Sequence, residues 1–202
     1  HPFRFLTEAS INMADDDALM SMLIKAGFNN VFIGIETPDE LSLTECKKVQ
    51  NKNRDLISSV KKIQQHGFEV QGGFIVGFDN DKPTIFNRMV SFIQESGIVT
   101  AMVGLLNAPK GTDLYKRLQS EGRLTDDFSG DNTNFTMNFV PKMDKNLLVK
   151  GYESIVSIIY SPKHYYERVR NFLKSYTPGK SVRKEISAVN IMAFLKSIFR
   201  NA

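Results

Sequence analysis

The amino-acid sequence predicts an α/β fold in which about four parallel strands form an arc of a barrel or an open sheet. Segments typical of buried strands begin near residues 3, 30, 68 and 100, and a helical pattern follows each. This spacing is typical of repeated βα units with right-handed crossovers. The apolar runs Val31–Ile33 and Phe74–Val76 are continuous, which predicts strands covered on both faces. Four strands are too few to close an eight-stranded barrel, which takes about 250 residues.

Strands and helices are expected to alternate along the first 120 residues. We predict strands at Phe3–Ala9, Asn30–Ile35, Phe68–Phe78 and Thr100–Leu106. We predict helices at Ala18–Ala26, Arg54–His66, Thr84–Ser96 and Asp113–Leu118, with short helical pieces before Arg54. Acids at Asp15–Asp17 are typical of a helix N-cap and first turn, and Pro83 suits a first turn. Gly27, Gly67 and Gly97 mark helix ends.

The character of the chain changes after Leu118. Residues 122–141 are rich in Gly, Asp, Asn and Thr and predict a long excursion with a short extended piece at Phe135–Val140. We therefore divide the chain into residues 1–124 and a small, mainly helical segment at 125–202. Helices are predicted at Asp144–Tyr160, Pro162–Tyr176 and Ser181–Arg200. The last of these carries a wide apolar arc, which favours docking on the body of the protein or on a partner.

Composition limits the possible functions of the chain. One cysteine among 202 residues excludes an internal disulfide and a site built from several thiolates, and favours an intracellular protein. No apolar run approaches the ~18 residues of a membrane span. The net charge is +4, and nine Lys or Arg against three Asp or Glu lie from residue 151 onward. This basic tail lacks the dense runs of a nucleic-acid or membrane-binding arm.

Polar residues and glycines at strand ends are the candidates for binding, because ligands meet parallel sheets at the carboxyl edge. Glu8 and Glu36 end the first two strands, where a carboxylate can accept the hydroxyl groups of a ribose or bind an ammonium group. The alternative is that each acid pairs with a basic residue or caps a loop. Glycines at Gly72–Gly73 and Gly77 leave room for a flat ligand, although bulges and tight packing also select glycine. The turn Asn107–Thr112 lies at the same edge.

The cysteine and two of the histidines give little evidence for a catalytic or metal site. Cys46 lies beside two lysines, but no base is placed to make it a nucleophile, so a neutral thiol is expected. His66 is expected to contact the carbonyls of a helix end, and neither it nor His164 has a second histidine at ligand spacing. We predict no metal site and no catalytic residue in this chain.

Five motifs together resemble the later part of a radical S-adenosylmethionine enzyme of the cobalamin-type branch with an appended C-terminal domain. They are TEAS at 7–10, FIGIETPDELSLTECKKVQN at 32–51, GGFIVGFDND at 72–81, LLNAPKGTDLY at 105–115, and the GY and YSP elements between Gly151 and Tyr166. The resemblance implies a partial TIM-like (β/α) barrel, with residues 1–124 as its strands three to six. It implies an accessory, mainly helical domain at 125–202.

The resemblance also implies contacts to S-adenosylmethionine. Glu36 would bind the ribose, with Glu8 as a supporting polar contact. Gly73, Ile75 and Gly77 match the family's GxIxG motif, which lies against the adenine, and Ala108 resembles a backbone contact on the other side of that ring. The sequence departs from the family because it lacks the three-cysteine loop that holds a 4Fe-4S cluster and has APKGT at 108–112 in place of a Pro-Pro-Gly-Thr turn.

These features predict a piece of a radical S-adenosylmethionine enzyme that transfers methyl groups or forms C–C bonds. The parent would use S-adenosylmethionine, a 4Fe-4S cluster and possibly cobalamin, none of which this chain is expected to hold alone. Its expected partners are the missing N-terminal half, expected upstream of His1, and a second copy or the C-terminal segment at the exposed strand edge Phe3–Ala9. It would be inactive alone and cytoplasmic.

Two other functions are compatible with the residues. One is a non-catalytic module that binds a protein or polyanion through tyrosines interleaved with basic residues. These residues are Lys163, Tyr165, Tyr166, Arg168, Arg170, Lys174 and Tyr176. The other is a barrel lyase or aldolase, which would need a buried lysine at a strand end that we do not find.

Overall fold

The computed structural model describes residues 3–125 and 137–178, together with 188–189, 191–193 and 196. Its strands are β1 (Phe5–Ala9), β2 (Phe28–Glu36), β3 (Glu69–Val76) and β4 (Thr100–Leu105). Its helices are α1 (Asp17–Ala26), α2 (Glu40–Glu45), α3 (Leu56–Gln65), α4 (Ile85–Ser96), α5 (Asp113–Ser120), α6 (Lys145–Ile159) and α7 (Pro162–Ser175). Short 3-10 segments lie at Ile11–Asp15 and Val49–Asn51.

The four strands form one parallel sheet in the order β1-β2-β3-β4. Each strand is joined to the next through a segment that contains at least one helix, as parallel pairing requires. The predicted parallel α/β sheet is confirmed, with strand ends within two residues of those expected. Thr7 lies opposite Val31, Val31 opposite Val70, and Gln71 opposite Thr100, and the register shifts once in each of the first two strand pairs.

The two faces of the sheet differ, which corrects the prediction that both are covered. Val31, Ile33 and Ile35 of β2 are fully buried, whereas Phe32 and Gly34 between them are half-buried. The same alternation runs along β3, where the side chain of Ile75 lies on the less buried face. The continuous apolar runs therefore arise because large apolar residues also occupy the less buried face. We call this face, which carries Phe32, Gly34 and Ile75, the open face of the sheet.

The opposite face carries the hydrophobic core. The ring of Phe74 meets that of Phe92 on α4 edge-on, with centroids 5.9 Å apart. Gln64 of α3 is buried and its Nε2 donates to the carbonyl oxygens of Ser96 and Gly97 at 3.1 and 3.3 Å. This side chain fastens the end of α3 to the end of α4, so the helical layer is held by polar as well as apolar contacts.

The helices begin where short polar side chains accept backbone hydrogen bonds. Asp16, Asp55, Thr112 and Asp144 each accept from the amide three residues ahead, and Asp39 accepts from two amides. These caps satisfy amides that have no partner within the helix. Gly27 and Gly97 are left-handed C-caps as expected, whereas His66 rather than Gly67 caps α3.

Helix α6 packs closely on α4. A Cβ atom at Gly151 would overlap the ring of Phe86, so glycine is what allows the two helices to approach. Leu148, Ile155 and Ile159 of α6 are fully buried and belong to the same core as the sheet. The described start of the C-terminal segment is thus part of the main core.

Helix α7 is anchored by a buried arginine. Arg168 is 0% exposed, and its guanidinium donates to Gln94 Oε1 at 2.7 Å and to the carbonyl oxygens of Ile159 and Val99 at 2.6 and 3.1 Å. The rings of Tyr160 and Tyr165 lie 5.5 Å from the guanidinium carbon. Burial lowers the pKa of Arg168. Arg168 therefore joins α7 to α4, α6 and the start of β4.

Two predictions fall largely outside the described residues. Only the last part of the extended piece Phe135–Val140 is described, where Phe139 forms a bridge with Leu124. Of the predicted helix Ser181–Arg200, residues 188–189, 191–193 and 196 are helical. Val189, Ile191 and Met192 are at least half exposed, so docking on the body is not seen at these positions. Among the described residues, no helix has the length and apolar character needed to cross a bilayer.

Candidate functional site

A cleft of about 350 Å³ lies on the open face, along the carboxyl-terminal halves of β2, β3 and β4. Its lining includes Phe32, Gly34, Glu36, Gly73, Ile75, Met102, Gly104 and Asn107. The carboxyl edge of a parallel sheet is where ligands bind in α/β folds. Three of the predicted contacts, Glu36, Gly73 and Ile75, meet in this cleft.

Glu36 ends β2 in an unusual backbone conformation. Its φ is 66°, in the left-handed region, and the register with β3 shifts between Gly34 and Glu36. A residue other than glycine in this region costs roughly 1–3 kcal/mol and persists where its surroundings hold it. Lys47 and Asn53 share this conformation, but among these three residues only Glu36 lines the cleft, where such strain is typical of functional sites.

Lys48 forms an ion pair with Glu36. Its Nζ donates to Glu36 Oε1 at 2.8 Å, and the two side chains are 26% and 18% exposed. This is the pairing that the sequence left open as the alternative for a strand-end acid. Within the described part of the chain, Oε2 of Glu36 accepts no hydrogen bond, which leaves one oxygen for a ligand.

Glycines form the floor beside this pair. A Cβ at Gly34 would lie 2.5 Å from Glu36 Oε1 and 2.9 Å from Lys48 Nζ. A Cβ at Gly73 would lie 2.8 Å from the ring of Phe32. At Gly104 a Cβ would meet nothing within 4 Å, so the cleft is open above β4. Gly34 and Gly73 therefore make room for the side chains of Glu36, Lys48 and Phe32, whereas Gly104 leaves open space for a flat group against the backbone of β4.

Asn51 holds the carboxyl-terminal end of β2 in place through hydrogen bonds to its backbone. It is fully buried, and its Nδ2 donates to the carbonyl oxygens of Gly34 and Ile35 at 3.1 and 2.9 Å. The amide of Thr37 donates to the same Ile35 oxygen at 2.9 Å. These bonds fix the backbone on both sides of Glu36. Asn51 was not singled out from sequence, because nothing local distinguishes it from a solvated amide.

Glu8 lies apart from Glu36. It is exposed and does not line the cleft, and it is opposite Phe32 in the register. Glu36 follows Phe32 by four residues, a rise of about 13 Å along the strand. The two acids therefore do not converge on one small group, because β1 ends well before β2.

Gly77 serves the turn after β3. It is buried with φ 109°, and a Cβ there would lie 3.2 Å from Leu148 of α6. Its amide donates to Asp81 Oδ2 at 2.8 Å, and the amide of Phe78 donates to the same oxygen at 3.1 Å. Ser42 Oγ donates to Asp81 Oδ1 at 2.8 Å. This geometry gives Gly77 a role in the turn rather than in the cleft.

Ala108 has both backbone groups occupied. Its amide donates to Asn138 Oδ1 at 2.8 Å, and its carbonyl accepts from Asn138 Nδ2 at 2.7 Å. Ala108 is fully buried. A ligand contact through its backbone amide would require Asn138 to be displaced.

Sequence reasoning missed an ion-pair cluster beside the turn after β3. Arg117 contacts Asp79 Oδ2 at 2.6 Å and Glu45 Oε1 at 3.0 Å, and Arg123 contacts Asp79 Oδ1 at 2.7 Å. Burial opposes ionisation of Asp79, but the two guanidinium groups outweigh it and hold its pKa well below the usual range. Its position after a strand end was the available signal, the same one that selected Glu8 and Glu36.

The remaining sequence candidates have structural roles. Burial raises the pKa of the Cys46 thiol, which agrees with a neutral thiol. His66 Nδ1 lies 2.8 Å from the carbonyl oxygen of Lys62, as expected at a helix end. Arg168 is buried, and its guanidinium lies 5.5 Å from the ring of half-buried Tyr165, so Arg168 is not part of a basic, aromatic surface.

Comparisons with known proteins relate the chain to methyltransferases. Residues 112–202 match the family described as a domain of unknown function, DUF4070. The chain is 39% identical over 203 residues to the uncharacterized methyltransferase sll1242 of Synechocystis sp., covering 99% of this chain and 38% of that protein. It is 32% identical over 161 residues to the hopanoid C-2 methylase of Rhodopseudomonas palustris, covering 80% of this chain and 30% of that protein.

A more distant relative is also named as a methyltransferase. The bacteriochlorophyllide d C-12(1)-methyltransferase of Chlorobaculum tepidum is 24% identical over 120 residues, which is 59% of this chain and 26% of that protein. The chain thus spans less than half the length of each of these relatives.

Proposed function

We propose that this chain, whose relatives are methyltransferases, is part of a radical S-adenosylmethionine methyltransferase and forms one wall of its cofactor site. The ordered strand-end motifs and the match to DUF4070 support this proposal. The four strands would be strands three to six of a partial TIM-like barrel, with the open face inside it. Residues 125–202 would form the accessory segment.

The single observation that carries the proposal is Glu36. It lies in a strained conformation at the carboxyl edge, beside a glycine floor on an open face. A nucleoside fits these residues, because a carboxylate accepts hydroxyl donors and glycines admit a flat base. Glu36 would accept from the ribose through Oε2, while Gly73 and Ile75 would lie against the adenine.

The 4Fe-4S cluster does not fit this chain. Three thiolates are needed, and the sequence contains one cysteine, Cys46, which is a neutral thiol at the end of α2. The whole protein would bind the cluster and cobalamin through other residues, and these groups with S-adenosylmethionine would supply the electron and the methyl group. The role of this chain is to bind and orient the nucleoside, and we expect no methyl transfer by it alone.

Binding of S-adenosylhomocysteine to the whole protein that contains this chain tests this function. Isothermal titration calorimetry should show binding that weakens about tenfold or more in Glu36→Gln, because a charge-assisted acceptor is replaced by an amide. Gly73→Val should weaken binding as well, because it fills the floor beside Phe32.

The matched control is Glu69→Gln, which changes an acid at the opposite end of the sheet, at the start of β3. This variant should bind as the unsubstituted chain does. Equal affinity in Glu36→Gln, or no binding by the unsubstituted whole protein, would exclude the proposed nucleoside site.

A further inference from the structure

Lys48 is placed to decide which chemical groups Glu36 can accept. It lies twelve residues beyond Glu36, after α2, yet its Nζ reaches Glu36 Oε1 at 2.8 Å. Both side chains are largely shielded from solvent. An ion pair in such a site is screened less than one in open water, so Lys48 offsets much of the charge of Glu36.

The approach of the two side chains is built into the backbone. A Cβ at position 34 would meet Glu36 Oε1 and Lys48 Nζ, so glycine there leaves room for the ends of these two side chains to meet. The left-handed turn at Glu36 and the two hydrogen bonds from buried Asn51 keep the end of β2 in place. The backbone that carries Glu36 is therefore held in place, and the space above Gly34 admits the ion pair.

This arrangement has a consequence for the ligand. An isolated carboxylate in a cleft attracts an ammonium group more strongly than a neutral hydroxyl group. A carboxylate already paired with an ammonium group retains a hydrogen-bond acceptor but little net charge, and the lysine repels a second cation. The sequence left open whether Glu36 accepts the hydroxyl groups of a ribose or binds an ammonium group. The ion pair with Lys48 favours the hydroxyl groups.

We propose that Lys48 is a specificity-determining residue that makes Glu36 an acceptor for neutral hydroxyl groups and excludes ammonium groups. This inference rests on the proposed function, since it concerns the same carboxylate. It assigns Lys48, which does not line the cleft itself, a positioning role through Glu36.

The test compares two nucleosides that differ in one group. Adenosine presents hydroxyl groups, and 3′-amino-3′-deoxyadenosine presents an amine that is largely protonated at about pH 6.5. A calorimetric titration of the whole protein that contains this chain should show a preference for adenosine. Lys48→Met should change the ratio of the two dissociation constants about tenfold in favour of the amine, because the carboxylate is then uncompensated.

Two further variants separate charge from folding. Lys48→Arg keeps the charge and should keep the preference for adenosine. Lys47→Met removes a neighbouring lysine that pairs with Asp113 in an exposed position, and should also keep it. A circular dichroism melt of each variant checks that the chain remains folded.

The outcomes distinguish the two proposals. If Glu36→Gln binds adenosine as well as the unsubstituted whole protein, or if the whole protein binds neither nucleoside, the nucleoside site and this inference both fail. If Glu36→Gln loses adenosine but the ratio in Lys48→Met is unchanged, or the unsubstituted chain prefers the amine, only the role of Lys48 is overturned.

Discussion

Two carboxylates in the turn after β3 have pKa values displaced in opposite directions. Burial disfavours the ionised form of both Asp79 and Asp81. The guanidinium groups of Arg123 and Arg117 outweigh burial at Asp79 and lower its pKa. Asp81 receives hydrogen bonds from two amides and Ser42 but pairs with no guanidinium group among the described residues, and its pKa is raised. The charged partner, rather than burial, therefore decides whether the pKa of the carboxylate is lowered or raised.

We expect Asp79→Asn to lower the free energy of unfolding by roughly 2–3 kcal/mol at pH 7, because two arginines lose their shared acceptor. The folded pKa of Asp79 lies below its unfolded value of about 3.9, so its contribution is present above about pH 4 and is lost as pH falls below that. Urea unfolding between pH 3 and 7 should show the difference from the unsubstituted chain shrinking with acid.

Asp113→Asn is the control for this substitution. Its pair with Lys47 is 74% exposed on both sides, and exposed pairs contribute little. A difference between Asp79→Asn and the unsubstituted chain that stays constant down to pH 3 would contradict the assignment.

Asp81→Asn is expected to have the opposite dependence on pH. Because the folded pKa is raised, the ionised carboxylate is unfavourable in the fold at neutral pH, and this penalty is absent below about pH 3.9. Asparagine can still accept from the amides of Gly77 and Phe78 and donate to Ser42. Thermal melts should show Asp81→Asn at least as stable as the unsubstituted chain at pH 7.

The difference in stability between Asp81→Asn and the unsubstituted chain should disappear in acid, because Asp81 of the unsubstituted chain then takes up a proton. Asp81→Ala is the informative contrast, since it leaves the two amides without an acceptor and should cost about 1–3 kcal/mol. Stabilities of Asp81→Asn and Asp81→Ala that are equal at pH 7 would be evidence against this account.

At the scale of elements, most strands and helices could be predicted because each carries a local signal. Asp16, Asp55 and Asp144 are N-caps near the expected helix starts, and the four strands coincide with apolar runs. The 3-10 segment Ile11–Asp15 and the bulge at Glu36 were not predicted. Both depend on contacts with distant parts of the chain rather than on periodicity.

The contact of α6 with α4 provides a test at this scale. Gly151→Ala should destabilise the protein by about 1–3 kcal/mol, because the added methyl overlaps the ring of Phe86. An exposed glycine-to-alanine change in a helix would instead stabilise by about 1 kcal/mol. Denaturant midpoints measured by circular dichroism distinguish the two signs.

Ser157→Ala on the exposed side of α6 is the matched control and should leave the midpoint unchanged or slightly higher. Adding Phe86→Leu to Gly151→Ala should recover part of the loss by making room. A stabilised Gly151→Ala variant would show that the helices do not pack as described.

The whole molecule is held by one core that extends into the C-terminal segment. Leu148 and Ile155 of α6 share the core of the sheet, and Arg168 joins α7 to α4. The sheet nevertheless ends in an edge strand, β1, on which Phe5 and Leu6 are exposed. The described C-terminal residues form helices and an isolated bridge, so they do not supply a strand to β1.

Pairing of β1 with another chain stays a prediction. The outer amides and carbonyls of an edge strand favour association, and a lysine on the edge opposes it. Sedimentation velocity over a range of protein concentrations should show self-association that Leu6→Lys reduces. Met22→Lys, at an exposed position on α1, is the matched control and should have no effect. Equal self-association of the two variants would argue against pairing through the β1 edge.

The sequence by itself determined the order of strands and helices, the parallel sheet and the carboxylate at the end of β2, because periodicity, capping and strand-end polarity are local properties. Only the tertiary structure decided that one face is open, that Glu36 pairs with Lys48, and that Glu8, Gly77 and Ala108 lie outside the cleft. These depend on strand register and on contacts from distant residues such as Asn51 and Asn138. Neither register nor such contacts leave a periodic signal in the chain.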